Sequence, residues 1–578
     1  MNAELLLKHF NRISDAPDVV PRLRRFVLDL AVRGKLVEQN PSDEPASELL
    51  KQIHAEKQRL AKEGIIGKVE PSQPVEADGQ PFSLPASWRW TRLGEICSKT
   101  GSGSTPRGGK EVYQKQGIPF LRSQNVYDDS LRLDDVVYID IETHGRMSGT
   151  AVRANDLLLN ITGGSIGRCC IVSSEFCPAN VSQHVAIIRP VIDGTQGYLH
   201  QLILSPYFQL FVMSEQTGAG RGGLPKNRMD RIPVALPPLE EQQRIVARVD
   251  ELMALCDRLE AAQRERESRR DQLAASTHHH LNNGADAEAL RSHAQFFIGY
   301  LPRFTARPDQ IKQLRQTILN LAVRGKLVLQ NKDDEPVSAL VERILAEQKE
   351  FIRNRTLKDR RLSAQEADSE FFLDIPQTWQ MVYLGNLIVF GPQNGISPTE
   401  SSRPDAPRAI TLTATTSGMF KPEHFKRIEA NIPIDSEMWL REGDLLFQRG
   451  NTRDYVGIAA RYEGKSGQFL YPDLMIKVRV SQSVDLRFVH ICSTSPHARN
   501  YFGKNATGAQ ATMPKINHEI LVNLPIPLPP LAEQHRIVAK VDELMAWCDQ
   551  LETNLTTAQT ESARLLESVL HYALQALA

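Results

Sequence analysis

Cysteine is sparse in this chain: Cys97, Cys169, Cys170, Cys177, Cys256, Cys492 and Cys548 are the only seven among 578 residues. Their odd number and the lack of paired Cys-x-x-Cys spacing argue against a disulfide framework, and no His/Cys pair completes a zinc set around Cys169, Cys170 and Cys177. Reduced thiols in buried strands are expected. No run of about 18 apolar residues occurs, and the start MNAELLLKHFNRISD has no basic region leading into an apolar one. Neither a membrane span nor an export signal is read, and a cytoplasmic protein is expected. An excess of one charge is missing too: Lys plus Arg and Asp plus Glu both number 69. That excludes a generally basic DNA-coating protein and confines any nucleic-acid contact to local patches. What is present, 41% hydrophobic and 24% charged residues, is ordinary for a globular protein, and the length implies roughly three or four domains.

The strongest internal signal is a tandem repeat. LAVRGKLV at Leu30 to Val37 returns unchanged at Leu321 to Val328, 291 positions on. The same displacement carries Asp43-Glu44-Pro45 onto Asp334-Glu335-Pro336, and Pro85, Trp88, Leu93 and Gly94 onto Pro376, Trp379, Leu384 and Gly385. LPPLEEQQRIVARVDELMALCDRLE (Leu236 to Glu260) recurs as LPPLAEQHRIVAKVDELMAWCDQLE (Leu528 to Glu552), one residue further displaced. Each repeat runs polar helical arm, mixed domain, Pro-Pro break, long helix. The two mixed domains diverge from one another.

After Pro237-Pro238, residues Ile245, Val249, Leu252, Cys256 and Leu259 recur at alternating four- and three-residue steps, the apolar seam of a coiled coil. Ile537, Val541, Leu544, Cys548 and Leu551 repeat it, and the seam continues to Tyr572. A lone helix would expose this stripe, so the two equivalent helices are expected to pack antiparallel. Leu239 to His280 would make a rod of roughly 60 Å. Val20 to Leu60 and Ile311 to Phe351 read as helical arms broken at Gly34 and Gly325.

In the mixed domains, short apolar runs (Asp156 to Ile161, Val185 to Ile188, Leu474 to Val480) alternate with Gly, Asn, Ser and Thr turns and predict twisted sheets. Gly101 to Gly109, Thr217 to Gly223 and Asn505 to Thr512 read as loops suited to a nucleic-acid groove.

Motifs for chemistry are incomplete. A methylase acting on an exocyclic amine needs an [ND]PP[YF]-type loop, whereas both Pro-Pro pairs read LPPL. Gly101-Ser102-Gly103 lacks the helix pattern and acidic partner of a cofactor turn and reads as a plain loop. Gly464-Lys465-Ser466 has Ala459 where a phosphate loop needs glycine. Asp309, Glu347 and Lys349 solvate a helical arm, and His278-His279-His280, ahead of Asn282-Asn283-Gly284, reads as a linker.

The duplicated variable domain followed by PLPPLxEQxRIVxxVDEL, together with the LAVRGKLV arm, resembles the specificity (S) subunit family of type I restriction-modification complexes over essentially the full length. Ile118 to Arg122, Ile161-Thr-Gly-Gly-Ser-Ile-Gly167 and Leu224-Pro225-Lys226 resemble family loops. The second domain departs at Phe447 to Arg453 and keeps Met513-Pro514-Lys515. The resemblance implies an α+β protein with two mixed α/β target recognition domains separated by a long antiparallel coiled coil of repeated helices, a pseudo-twofold tandem repeat. Its expected segments are a helical arm (1–82), recognition domain 1 (83–238), a spacer helix and linker (239–300), a second arm (301–373), recognition domain 2 (374–530) and a C-terminal spacer helix (531–578).

The resemblance also implies a subunit that binds a bipartite double-stranded DNA target and is not itself an enzyme. It would scaffold two modification (methyltransferase) subunits and the restriction (motor-nuclease) subunits, whose S-adenosylmethionine, ATP and Mg belong to those partners; no cofactor or metal is expected in this chain. A coiled-coil protein-interaction adaptor is the alternative. Base edges are read best by Arg, Asn and Gln, and phosphates are placed by Lys, Ser and Thr. The candidate DNA-binding residues are therefore Arg107, Lys110, Arg122, Asn125, Arg221, Lys226, Asn227 and Arg228 in the first domain. In the second they are Arg403, Arg449, Asn451, Arg453, Gln510, Lys515 and Asn517. The spacer would set the half-sites about 34 Å apart, one helical turn of DNA.

Overall fold

The computed structural model describes residues 13–14, 16, 18–69, 75–76, 79–215, 222–283, 287–353, 371, 373–508 and 513–576. Contacts divide the chain into two units, one of residues 1–266 with 559–578 and one of residues 267–558. Both unit boundaries fall inside long helices.

The first unit opens with α1 (Val19–Val32), stopped where Gly34 turns at φ 67°. A Cβ at Gly34 would lie 2.5 Å from Pro85 Cγ, so the repeated glycine is required by both its backbone and its neighbour. Next come α2 (Ala46–Lys62), β1 (Arg89–Arg92), β2 (Cys97–Ser102), β3 (Ile118–Leu121), β4 (Val137–Ile139), β5 (Ala151–Val152) and β6 (Leu157–Asn160). They are followed by β7 (Cys169–Ile171), β8 (Ala179–Val181), β9 (Val185–Pro190), α3 (Gln196–Leu204), α4 (Pro206–Ser214), α5 (Lys226–Asp230) and β10 (Pro233–Leu236).

One antiparallel sheet has the order β2-β9-β6-β7; a second, β4-β3-β8-β5, contains a parallel β3–β8 pair; β1 pairs with β10. Leu157 and Leu159 join a core with Leu199, Leu202 and Phe208, while Leu158 joins another with Leu121, Val152 and Val181. Both faces of β6 are thus covered, which is why its sequence reads as an unbroken apolar run rather than an alternation. Cys169 and Cys170 divide between the same two cores. Gly101 and Ser102, expected in a loop, lie in β2.

The long helix α6 (Leu239–Asn283) follows. The second unit then holds α7 (Ala287–Gly299), α8 (Pro308–Val323), α9 (Val337–Arg353), β11 (Gln380–Tyr383), β12 (Ile388–Asn394), β13 (Arg408–Ile410), β14 (Phe425–Arg427) and β15 (Leu445–Gln448). β16 (Ala459–Arg461), β17 (Met475–Val480), α10 (Leu486–Thr494), α11 (Pro496–Asn505), α12 (His518–Val522), β18 (Pro525–Leu528) and α13 (Leu531–Ala576) complete it. The antiparallel sheet β12-β17-β15-β16 repeats the first unit's main sheet, and β11–β18 repeats β1–β10. Among the described residues, the sheet beside it is the two-stranded β13–β14. Gly325 repeats the turn of Gly34 at φ 67°, against Pro376.

Within each unit the helix directions follow from side-chain bonds. In the first, Gln263 donates to the Ser14 carbonyl at 2.9 Å, Arg24 to Asp257 at 2.5 Å and Arg244 to Asp43 at 2.5 Å, so the arm runs antiparallel to the start of α6. Arg22 donates to the Ala563 carbonyl and Lys35 to that of Leu574, so the arm runs parallel to the end of α13. The two spacer segments of that unit are therefore antiparallel. In the second unit Arg315 donates to Asp549 and Arg536 to Asp334, while Arg307 reaches Glu267 and Asn320 reaches Asn282, giving the same arrangement with the roles of α6 and α13 exchanged.

The expected seam needs one correction. Ile245 and Val249 pack on Val27, Ala31 and Trp88, and Ile537, Val541 and Cys548 share a core with Ile311 and Ile318. Each stripe is filled first by its own arm, and Cys256 meets Leu566 rather than Cys548. A second correction concerns His278-His279-His280, expected in a linker. They lie in α6; His278 is 7% exposed, its Nδ1 is 2.9 Å from Thr317 Oγ1, and burial lowers its pKa. The heptad fades there because α7 and α8 replace the earlier partner.

Candidate nucleic-acid interface

The main sheets of the two mixed domains share one polar frame. Under the first, the Arg189 guanidinium donates to both oxygens of the buried Asp156 at 2.6 and 2.7 Å; under the second, Arg479 donates to the buried Asp444 at 2.9 Å. Both carboxylates also accept a backbone N–H three residues upstream, from Arg153 and Arg441. Buried charges need such pairing, and it fixes where β6 and β15 begin.

At the opposite ends of the two strands stand Asn160 and Gln448, both fully buried. Asn160 Nδ2 donates to the Ser123 carbonyl at 2.8 Å and to Ser165 Oγ at 3.1 Å. Gln448 Nε2 donates to the Leu412 carbonyl at 2.8 Å and to the hydroxyls of Thr415 and Thr416. Each amide ties the loop after its strand to the loop after β3 or β13. The loop closes where the N–H of Gly167 donates to the Asn160 carbonyl and that of Gly457 to the Gln448 carbonyl. Numbered from these anchors, the second loop is two residues longer than the first.

The segment ahead of α5 and α12 docks on the same loop. The Leu224 N–H donates to the Ile161 carbonyl at 2.9 Å, and that of Ile516 to the Arg449 carbonyl at 2.8 Å. Leu224 and Ile516 are therefore equivalent, both buried, and Lys515 stands opposite Gly223. The sequence reading, which matched Leu224-Pro225-Lys226 with Met513-Pro514-Lys515, is out of register by three residues.

In the second domain the Gly450–Lys515 bridge gathers Arg449, Asn451, Lys515 and Asn517. Lys515 is exposed, but Asn451 Nδ2 donates to Gln448 Oε1 at 2.6 Å, and Asn517 caps α12 by accepting from the Ile520 N–H at 2.7 Å. Arg453 is exposed at the tip of the longer loop, and Arg403 sits on a separate loop, paired with Glu429 at 3.2 Å. Arg449 is half-buried, with its guanidinium 3.5 Å from the Asp473 carbonyl.

In the first domain Lys226, Asn227 and Arg228 are exposed on α5; Lys226 pairs with Asp230 and Arg228 with Glu215. Surface pairs of this kind contribute about 0–1 kcal/mol, so a phosphate can displace them. Arg107 and Lys110 are exposed beyond β2, in a loop whose Gly103 passes so close to Val181 that a Cβ would overlap its carbonyl. Arg122 Nη2 donates to the Asp135 carbonyl at 2.7 Å. Asn125 is 1% exposed, and its amide is engaged at both ends by Arg122 N–H and the Arg132 carbonyl. It shapes its loop rather than facing a groove. Arg221 and Gln510 lie outside the described residues.

Asn160 and Gln448 escaped the sequence reading, as did Tyr127, whose ring carries the guanidinium of Arg132 at 3.9 Å and that of Arg168 at 4.9 Å. Position beside Ser123 to Asn125 in space, not in sequence, marks Arg168 as a candidate. Among the described residues no group of three or more His, Cys, Asp or Glu side chains could hold a metal ion, and no helix is long and apolar enough to cross a membrane.

Comparison with known proteins agrees with this architecture. Residues 85–267 and 465–559 match the family described as the type I restriction modification DNA specificity domain. The chain is 29% identical over 567 residues to the Escherichia coli type I restriction enzyme EcoEI specificity subunit, covering 96% of this chain and 94% of that one. It is 28% identical to the Escherichia coli EcoAI specificity subunit, over 95% and 93% of the two chains. Among solved structures it is similar to the HsdS subunit from Thermoanaerobacter tengcongensis, at 19% identity and a TM-score of 0.42, covering 85% of this chain and 98% of that one. With its duplicated frame and helical arms, the chain is similar along nearly its whole length to type I restriction enzyme specificity subunits.

Proposed function

We propose that this chain reads a bipartite double-stranded DNA target, one half through residues 83–238 and the other through residues 374–530. The observation that carries this reading is a retained frame with exchanged loops. Asp156–Arg189 and Asp444–Arg479 are equivalent, whereas the loops they support differ in length and in polar side chains. A fixed scaffold with variable loops is the arrangement by which binding specificity is changed without refolding.

The helical arms and spacer scaffold two modification subunits, with motor-nuclease restriction subunits joining them in the cytoplasm. This chain contributes no catalytic group; S-adenosylmethionine, ATP and Mg act in the partner chains.

Selection from randomised duplexes by the full chain with its modification partner is expected to return two short fixed sequences separated by an unread gap. Replacing residues 83–238 by the corresponding domain of a relative should change one of the two and leave the other. Selection of no sequence would favour the protein-interaction adaptor, and methyl transfer by the isolated chain would sink the non-catalytic assignment.

A further inference from the structure

The first unit contains a cleft of about 1220 Å³ between α2, the segment after it, the start of the mixed domain and α5. Its walls carry Lys51 and Lys57 from α2, Arg92 and Lys99 from β1 and β2, and Lys226 and Arg231 from α5 and its C-terminus. The acids facing them are Glu95 and Asp230, and Lys68 adds a further cation at the rim.

Repeat symmetry separates structural need from charge. In the second unit the equivalent positions are Glu342, Gln348, Tyr383, Phe390, His518 and Asn523. The match is close: Lys57 Nζ donates to the Gly94 carbonyl at 2.7 Å, and Gln348 Nε2 donates to the Gly385 carbonyl at 3.2 Å. A neutral amide therefore makes the contact the fold requires. Burial lowers the pKa of Lys57, so its charge is a cost that the second unit avoids at this position. At these six positions the fold of the second unit is met without a cation, so the charge of the first unit's side chains is not required by the frame.

We propose that this cleft carries the phosphodiester backbone of duplex DNA flanking the half-site read by the first domain. The inference rests on the DNA-reading function. Lys226 also donates to Thr100 at 3.1 Å, at the foot of the strand whose continuation presents Arg107 and Lys110. Lys226 thus joins the cleft wall to the strand that leads to those candidate reading residues. Lys51 and Lys226 keep 73% and 61% of their side chains exposed, each in a surface ion pair, with Glu48 and Asp230, that a phosphate can displace.

The test uses the full chain, its selected target with long flanks, and the variant Lys51→Gln/Lys68→Gln/Arg231→Gln. The salt dependence of affinity should become shallower by about 2–3 in log–log slope, and affinity at low salt should fall at least about 10-fold. Hydroxyl-radical protection should shorten beyond one half-site while the selected sequence stays the same. The charge-keeping variant Lys51→Arg/Lys68→Arg/Arg231→Lys should restore both readouts, which separates charge from misfolding. Unchanged slope and footprint with intact target binding would overturn the cleft assignment alone, as would loss of an acidic protein partner without loss of DNA. A wild-type chain that binds no duplex overturns this proposal and the function it rests on.

Discussion

Arg24 of α1 donates to Asp257 at 2.5 Å and to Glu260 at 3.2 Å, and its counterpart Arg315 donates to Asp549 at 2.7 Å and Glu552 at 3.0 Å. Each guanidinium also lies against a methionine sulfur, Met253 or Met545. The contact between arm and spacer is thus reproduced at the level of single atoms, whereas the loops of the mixed domains are not.

Gly34→Ala should destabilise the first unit by about 2–4 kcal/mol, because a side chain at φ 67° is strained and its Cβ meets Pro85 Cγ at 2.5 Å. Hydrogen exchange should speed in α1 and α2 and remain unchanged in α8 and α9. Gly325→Ala should give the reverse pattern. Uniform protection in both variants would contradict the steric argument.

Burial raises the pKa of Glu241, although the amide of Gln39 donates to it at 2.6 Å and its place in the first turn of α6 favours a negative charge. A carboxyl with a raised folded pKa binds its proton more tightly when folded, so the charged form costs stability above that pKa and the cost vanishes below the unfolded value. Glu241→Gln should therefore raise the melting temperature at pH 8 by about 2 °C, with the gain disappearing near pH 4. A gain that grows as pH falls would show the opposite sign. Glu533, raised by the same cause, should behave alike.

Asn160→Ala leaves the Ser123 carbonyl and Ser165 hydroxyl without their buried donor, a loss of about 1–3 kcal/mol. Asn160 is a positioning residue, so discrimination should relax in one half of the target, read base by base by competition, with the other half unchanged. Gln448→Ala should relax the opposite half. Relaxation of both halves by either variant would contradict the independence of the two loops.

Much of the frame was legible in the sequence because its physics is local. LAVRGKLV announces a glycine-terminated helix, and Leu157 to Leu159, Val185 to Ile188 and Met475 to Val480 announce covered strands. The His278 helix and the filling of the Ile245–Val249 stripe by the arm were illegible, since both depend on which distant surface arrives. The interface was the least legible. Arg, Asn and Lys in loops look alike in sequence, whether they cap a helix as Asn517 does, shape a turn as Asn125 does, or face outward as Lys515 does. The Pro-Lys pairs at 225–226 and 514–515 look equivalent in sequence but lie three residues out of register, as the hydrogen bonds of Leu224 to Ile161 and of Ile516 to Arg449 show.

Leu566 belongs to the cluster of Ile13, Val19, Val20 and Cys256, and residues 559–578 belong to the first unit. During synthesis those residues leave the ribosome only after the whole of the second unit has been made. The half translated first must therefore wait, with Cys256 and the start of α1 uncovered, for a segment translated last. A chain broken off in the second unit therefore lacks the segment that brings Leu566 to this cluster.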